Sequence, residues 1–379
     1  MHSPQIPGID GPELVRWFAR ALPELGEPLA ASVFVGGRSN LTYRIQLPAS
    51  TVVLRRPPLA ATLHTAHDMH REYTVLARLA GGLVPVPRPL AFCADPDVIG
   101  APFFVMEYVA GRVLRDTAAV AELSPQANAL LSSSLADALA GVHRTDPRAA
   151  GLADFGRPEG FMQRQLLRWG RQWTSGSPTL TDGGRTTAAG ERLVVRLAAR
   201  LPRGGVAALL HGDFRLDNIV VSRDPVPRIT AILDWEMSTL GDPLADLGLA
   251  LVHWCLVEEL RRAGLPLPAP PSAAPGFLTG RQFAESYAAG TGFDLSHLDE
   301  YLAFGCFKLA AILLGERART AHTDPDTLSG ARATAVIAAL IEQAHQILDT
   351  GCGPWFSGGG HSPNSLSLTG SGSVRHGLS

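Results

Sequence analysis

Apolar and polar positions along the chain follow first a mixed strand and helix rhythm, then an almost wholly helical one. Residues 12–22 carry apolar side chains at helical spacing (Leu14, Val15, Phe18, Leu22), with Pro12 near the start. Three short apolar runs follow at 32–35, 41–47 and 51–55, joined by tight turns, which predicts an antiparallel meander. Residues 70–79 place Tyr73, Leu76, Ala77 and Leu79 on one helical stripe. The Pro-rich stretch 84–89 reads as a rigid extended link, and 103–108 as a further strand.

From Ser124 the spacing is helical. Ser124 and Pro125 read as an N-cap and first helical residue, and apolar residues recur every three or four positions over 130–143. Helices are expected over 161–173 and 185–201, with a loop at 175–184 between them. The runs 219–221 and 229–233 are β-branched and flank the turn-rich 222–227, which is how a hairpin is written. Asp242 and Pro243 open another helix, with the apolar stretch 247–257 behind them. A Pro/Ala-rich loop at 266–275 precedes helices at 280–289, 295–319 and 328–348. Beyond Gly351 the chain is Gly/Ser-rich, and 351–379 is expected to be a disordered tail. No internal repeat is visible.

Composition narrows the picture. A chain of 379 residues, 46% of them hydrophobic, can bury a large core and favours two lobes over one. The net charge of -2 offers no polybasic surface for nucleic acid. The N-terminus lacks the basic and apolar regions of a signal peptide. The stretch 247–257 is too short to span a bilayer, and 301–315 carries Lys308 in its middle, so no membrane association is expected. Cys93, Cys255, Cys306 and Cys352 lie far apart with no C-x-x-C pair, which suits reduced thiols in a cytoplasmic protein.

The chemistry concentrates between 209 and 246. The loop His211-Gly212-Asp213-Phe214-Arg215-Leu216-Asp217-Asn218 places Asp213 five positions before Asn218, and the second hairpin strand delivers Asp234 at its end. If the two strands pair, Asn218 and Asp234 become neighbours. An amide oxygen beside a carboxylate is a hard oxygen site that suits Mg2+ carrying phosphate oxygens. Asp213, just before them, is placed to orient an attacking hydroxyl and accept its proton.

H-G-D-x-x-x-x-N followed by I-L-D-W-E resembles the aminoglycoside phosphotransferase and choline kinase-like family, small-molecule relatives of the protein kinases. The resemblance implies an α+β, two-lobed, protein-kinase-like fold. Its N-lobe, 1–108, would be a small antiparallel sheet plus a helix that binds ATP, and its C-lobe, 109–350, mainly helical and home to the catalytic loop and acceptor site. It implies Asp213 as the catalytic acid-base group and Asn218 and Asp234 as the Mg2+ ligands, with His211 buttressing the loop. The turn 36–40 would cover the ATP phosphates, with Ser39 and Asn40 as donors. Arg55 stands where kinases place the third-strand Lys and, with Glu72 as its ion-pair partner, would hold the other phosphates. "VLRRPP" resembles the subgroup also found fused to acyl-CoA dehydrogenases, and the competing reading of Arg55 is a weakened kinase or nucleotide-binding scaffold. Met106, Glu107 and Val109 would form the hinge that receives adenine. Asp246 would tie down the catalytic loop.

The implied enzyme is a small-molecule kinase. Gly212 takes the place of the Arg that answers activation-loop phosphorylation in protein kinases, and the short run from Asp234 to Asp242 leaves no room for a peptide platform. The expected partner is a small acceptor with a hydroxyl group, and the oligomeric state is not read. Arg164, Arg168 and Arg171 share one helical face, and Arg317 and Arg319 follow a buried helix; each set is a solvated surface or a contact for an anionic acceptor. With acids scattered rather than convergent, a hydroxyacyl-CoA or hydroxy acid is placed ahead of an aminoglycoside or other amino alcohol.

Overall fold

The structure, a computed structural model, describes residues 8–34, 40–59, 69–320 and 330–357. The N-lobe is built on a five-stranded antiparallel sheet in the order β1-β2-β3-β5-β4, with β1 Ala30–Val33, β2 Leu41–Gln46, β3 Thr51–Arg56, β4 Pro89–Cys93 and β5 Phe103–Glu107. Helix α1, Gly11–Ala21, is capped by the Asp10 carboxylate, which accepts from Glu13 N–H. Helix α2, Met69–Leu79, lies on the opposite face of the sheet.

Alternation along β3 explains the two-sided packing and positions a charge. Val52 and Leu54 join the core under α1, with Trp17, Phe18 and Phe103. Val53 turns to the other core, with Val75 and Leu76 of α2. By the same period of two, Arg55 points to the α2 side. The antiparallel neighbour β5 repeats the pattern, sending Phe103 and Val105 one way and Phe104 and Met106 the other.

Residues 84–88 carry no regular structure, as the expected link requires, and strand β4 directly after them was not expected. Pro89 begins an edge strand, where its missing N–H is tolerated, and the register shifts between Pro89 and Ala91. Its sequence, Pro-Leu-Ala-Phe-Cys, lacks the alternation that would have marked it.

After the hinge come β6 Arg112–Val113, α3 Thr117–Val120, α4 Pro125–Arg144, α5 Phe161–Gly176 and α6 Arg185–Arg200. The Ser124 hydroxyl accepts from Ala127 N–H at 3.1 Å, as a cap should. Then follow β7 Ala208–Leu210, β8 Ile219–Val221, β9 Ile229–Ile232 and β10 Thr239–Gly241. These form two small antiparallel sheets, β6-β8-β9 and β10-β7. Asp242 caps α7 Pro243–Leu251 as expected. The apolar stretch behind it continues through a π-helical turn, Val252–Leu256, into α8 Val257–Arg262.

Helices α9 Gly280–Thr291, α10 Leu298–Thr320 and α11 Gly330–Thr350 complete the C-lobe core, with α10 packed on both α7 and α11. The chain stays packed beyond Gly351, because α12 Pro354–Ser357 buries Phe356 beside Gly280 and Cys255. The rest of the expected tail lies outside the described residues. All four cysteines are free, and among the described residues no helix is long and apolar enough to cross a membrane.

Candidate active site

Strand β7 leads into His211, Gly212 and Asp213, and the backbone of this loop is gripped from both sides. Asp246 of α7, fully buried, accepts from His211 N–H at 2.6 Å and from Gly212 N–H at 2.9 Å. Its second neighbour is His143 of α4, whose other ring nitrogen meets the Tyr287 hydroxyl at 2.6 Å. Burial alone would raise the Asp246 pKa; His143, then His211 and Lys308, more than offset it, so the carboxyl stays below its usual value. From the other side, Lys308 of α10 donates to the Gly212 carbonyl at 2.9 Å. Gly212 is required here: its φ is +90°, and a Cβ would lie 2.5 Å from the Met237 carbonyl oxygen.

His211 lies inside the loop, fully buried, with Nε2 2.8 Å from the Leu233 carbonyl and its ring 4.8 Å from that of Trp235. Asp213 N–H donates to the His211 Nδ1 at 3.3 Å. The Nε2 position must then carry the proton, because Nδ1 is accepting.

The hairpin brings the distant groups together. Ile219 of β8 pairs with Ile232 of β9, and Leu233 N–H donates to the Asn218 carbonyl at 2.8 Å. Asn218 and Asp234 therefore leave adjacent strand ends. The Asn218 amide donates to the Asp213 carbonyl at 2.9 Å and to its carboxylate at 3.2 Å, which joins all three residues in one place. Asp234 is the only non-glycine residue with positive φ among those described, at φ 66° and ψ 59°. Asp tolerates this left-handed region better than most, and a strained backbone there re-aims its side chain.

Asp234 is aimed at Arg55. The guanidinium of Arg55 meets Asp234 at 2.7 Å and Glu72 at 3.2 Å, with Glu236 3.8 Å away. The expected Arg55 to Glu72 pair is present, and it closes onto the metal-site candidate. Burial disfavours the Arg55 charge, but Glu72, Asp234 and Glu236 together hold the guanidinium above its usual value. Glu72 is pushed up to about 7, first by burial and then, against Arg55, by the like charges of Asp234 and Glu236. Asp234 and Glu236 outnumber the one cation between them, which leaves local negative charge in excess.

Other expected residues are placed differently. Ser39 and most of the phosphate-covering turn lie outside the described residues. Asn40 is buried, and its amide is engaged by Glu236 at 2.7 Å rather than free for a ligand. Met106 is buried on β5, in the core shared with α2. The Glu107 N–H donates to the Arg88 carbonyl at 2.9 Å, which removes it as a donor to an incoming ring. Val109, next in the link, is half-buried.

Two of the candidate arginines are engaged by main chain. Arg164 donates to the main-chain carbonyls of Arg157 and Glu159, and Arg317 to that of Thr179 at 2.8 Å. Arg168 lies over the Trp169 ring, and the side chain of Arg319 is outside those described. Sequence reading missed Glu236, Lys308 and Arg215 as site residues. Arg215, two positions after Asp213, is paired with Asp217, and its charge is also held up by Asp213 and Asp234. The signals were present in the sequence: the E of L-D-W-E, a lone cation in an apolar helix, and a cation inside the catalytic loop.

The family model described as the phosphotransferase enzyme family matches residues 30–293 of this chain. The chain belongs to that family. It is similar to chicken acyl-CoA dehydrogenase family member 11, 34% identical over 320 residues, covering 82% of this chain and 40% of that protein. Mouse acyl-CoA dehydrogenase family member 10 is 31% identical over 300 residues, 76% of this chain and 26% of that protein. This phosphotransferase chain thus spans less than half the length of both relatives. A crystal structure from Ralstonia eutropha, provisionally described as an aminoglycoside phosphotransferase, shares 32% identity and superposes with a TM-score of 0.72, covering 89% of this chain and 98% of that one. The two-lobed, kinase-like α+β fold expected from the motifs is the fold of these phosphotransferases.

Proposed function

We propose that this chain is an ATP-dependent kinase of a small hydroxylated molecule, working in the cytoplasm with Mg2+. The observation that carries the reading is the meeting of Asn218 and Asp234 at adjacent strand ends, with Asp213 bonded to Asn218 and Arg55 bonded to Asp234. The donor set fits Mg2+: an amide oxygen and a carboxylate, both hard, leave the remaining positions for phosphate oxygens and water. When bound, the ion neutralises charge on the β- and γ-phosphate oxygens. The chain's own residues do the rest.

Arg55, held by Glu72, offers the phosphates a cation whose position is fixed by its buried partner. Val109 N–H in the hinge serves as a donor to adenine, and Met106 walls the pocket. Asp213 accepts a hydrogen bond from the acceptor hydroxyl and aims its oxygen at the γ-phosphorus. As the new P–O bond forms and the bond to the ADP oxygen breaks, the hydroxyl proton passes to the Asp213 carboxylate. The grip of Asp246 and Lys308 on the preceding peptides keeps that carboxylate from having to reorganise.

For the acceptor, a hydroxyacyl thioester or hydroxy acid fits better than a polycationic sugar. The similarity to acyl-CoA dehydrogenase family members supports this reading, and so does the balance of charge beside the catalytic loop, where Asp217 is already neutralised by Arg215. The test is ADP release from Mg·ATP with hydroxy acids, hydroxyacyl-CoAs and aminoglycosides as acceptors. Acceptor-dependent release is expected with the first two classes, falling about 10²- to 10⁴-fold in Asp213→Asn. An Asp213→Asn protein that turns over its acceptor at the parent rate contradicts the assignment.

A further inference from the structure

Beside the catalytic loop lies a cavity of about 170 Å³ that the phosphate chemistry does not use. Its floor is the loop itself, from Phe214 to Asp217, immediately after Asp213. Trp254, Phe283 and Pro270 wall it, and Arg115 stands at its rim. It is smaller than the roughly 300–1,000 Å³ that whole drug-sized ligands occupy, so it suits one slender arm of a molecule.

One polar side chain in it is unexplained. His253 lines the cavity half-exposed, and neither of its ring nitrogens is hydrogen-bonded to another described residue. It sits in the π-helical turn Val252–Leu256, which presents His253 and Trp254, consecutive in sequence, to the same cavity. Single π turns inside helices concentrate at functional sites. The charged groups facing the imidazole are Arg215, Asp213 and Asp217 of the catalytic loop and Lys308 of α10. Burial first, and Arg215 next, hold His253 down to about 4, so near neutrality it is uncharged, one nitrogen a donor and the other an acceptor.

We propose that this cavity is the acceptor's subsite: it receives an apolar arm of the hydroxylated substrate, and His253 selects an uncharged oxygen, carbonyl or hydroxyl, carried on that arm. The proposal rests on the phosphotransfer reading above, since the loop that floors the cavity is the one that carries Asp213. A cationic arm is disfavoured because the one acid lining the cavity, Asp217, is already paired with Arg215, and Arg115 adds a second positive charge. Among the described lining residues an ammonium group would lose its water and gain no unpaired anion. An apolar arm leaves the His253 donor and acceptor unmatched unless it brings an oxygen to them. His253 is thus a specificity-determining residue rather than a participant in phosphoryl transfer.

The experiment titrates the full chain, saturated with Mg·ADP, with straight-chain hydroxy acids of increasing length. Each is paired with an analogue bearing one extra keto group along the chain, and kanamycin serves as the cationic probe. Affinity is expected to grow with chain length and then level off once the cavity is full. Kanamycin is expected not to compete. In His253→Phe the keto analogues lose at least tenfold while the plain chains change little, and His253→Asn, which keeps a donor and an acceptor, restores most of the difference. Ala250→Leu, which fills the cavity from α7, removes the dependence on chain length and guards against a His253 variant that fails to fold.

Kanamycin binding more tightly than every hydroxy acid, equal loss for both members of each pair, or no hydroxy acid binding at all would overturn the proposal. The affinity for Mg·ADP, read in the same titrations, separates the two claims. Nucleotide bound without acceptor condemns the subsite alone, whereas a parent protein that binds no nucleotide condemns the phosphotransfer reading.

Discussion

Two buried cations serve the candidate site from opposite lobes, and they are held in opposite ways. Arg55 comes from a strand, is fixed by Glu72 and Asp234, and shares its surroundings with three carboxylates. Lys308 comes from the middle of an apolar helix, donates to one main-chain carbonyl, and has the Trp169 ring 5.7 Å away. Burial lowers the Lys308 pKa, with Asp246 and Asp213 only partly opposing it, whereas Arg55 is held above its usual value. On the proposed reading Arg55 meets phosphate, whereas Lys308 holds backbone. Charge in a site thus serves either the ligand or the loop that faces it, and the partners reveal which.

Replacement of Arg55 by Met should break this comparison most strongly. It leaves Glu72 buried without its counter-ion and Asp234, half-buried, without its closest cation; removing one partner of a buried pair costs roughly 3–5 kcal/mol. Denaturant unfolding should show that loss, and calorimetry should show ATP affinity falling with it. Lys308→Met should act on the loop alone. The Gly212 carbonyl loses a charged donor worth about 1.5–3 kcal/mol, so turnover should fall roughly tenfold or more while ATP affinity stays near the parent value. Equal loss of ATP affinity in both variants would erase the distinction drawn here.

The smallest expected effect is a pH dependence. The folded-state pKa of Asp246 lies below its ordinary 3.8, so its carboxylate stabilises the fold above that value. The contribution is lost as pH falls through the folded pKa, because the unfolded chain then takes up protons first. Acid unfolding followed by circular dichroism should therefore lose part of its steepness below about pH 4 in Asp246→Asn, a variant already less stable near neutrality.

The same two cations show what a sequence discloses. Arg55 was legible from the order of motifs around it and from its resemblance to the third-strand cation of kinases. So were Asp213, Asn218 and Asp234, since a hairpin with a turn-rich linker can pair in few ways. Lys308 was legible only as an obstacle to a membrane span; that it reaches the Gly212 carbonyl depends on how α10 packs against α7 and the catalytic loop, and no local pattern encodes that. Strands β7 and β10, three residues each, are too short to show alternation, although their pairing positions His211 and Asp242. Glu236 and His253 share the difficulty. Each is an ordinary residue type whose role comes from neighbours 196 positions away, at Asn40, or from a π turn that periodicity reads as continuous helix.

Phosphotransfer as proposed requires a strand-end amide and a strand-end carboxylate to hold one ion against a triphosphate. Calorimetric titration of ATP, with and without Mg2+, into the parent chain and into Asn218→Ala measures this directly. Mg2+ is expected to tighten ATP binding at least tenfold in the parent, and Asn218→Ala to lose most of this gain while keeping the Mg2+-free affinity. An equal gain from Mg2+ in both proteins, or none in the parent, contradicts the proposal.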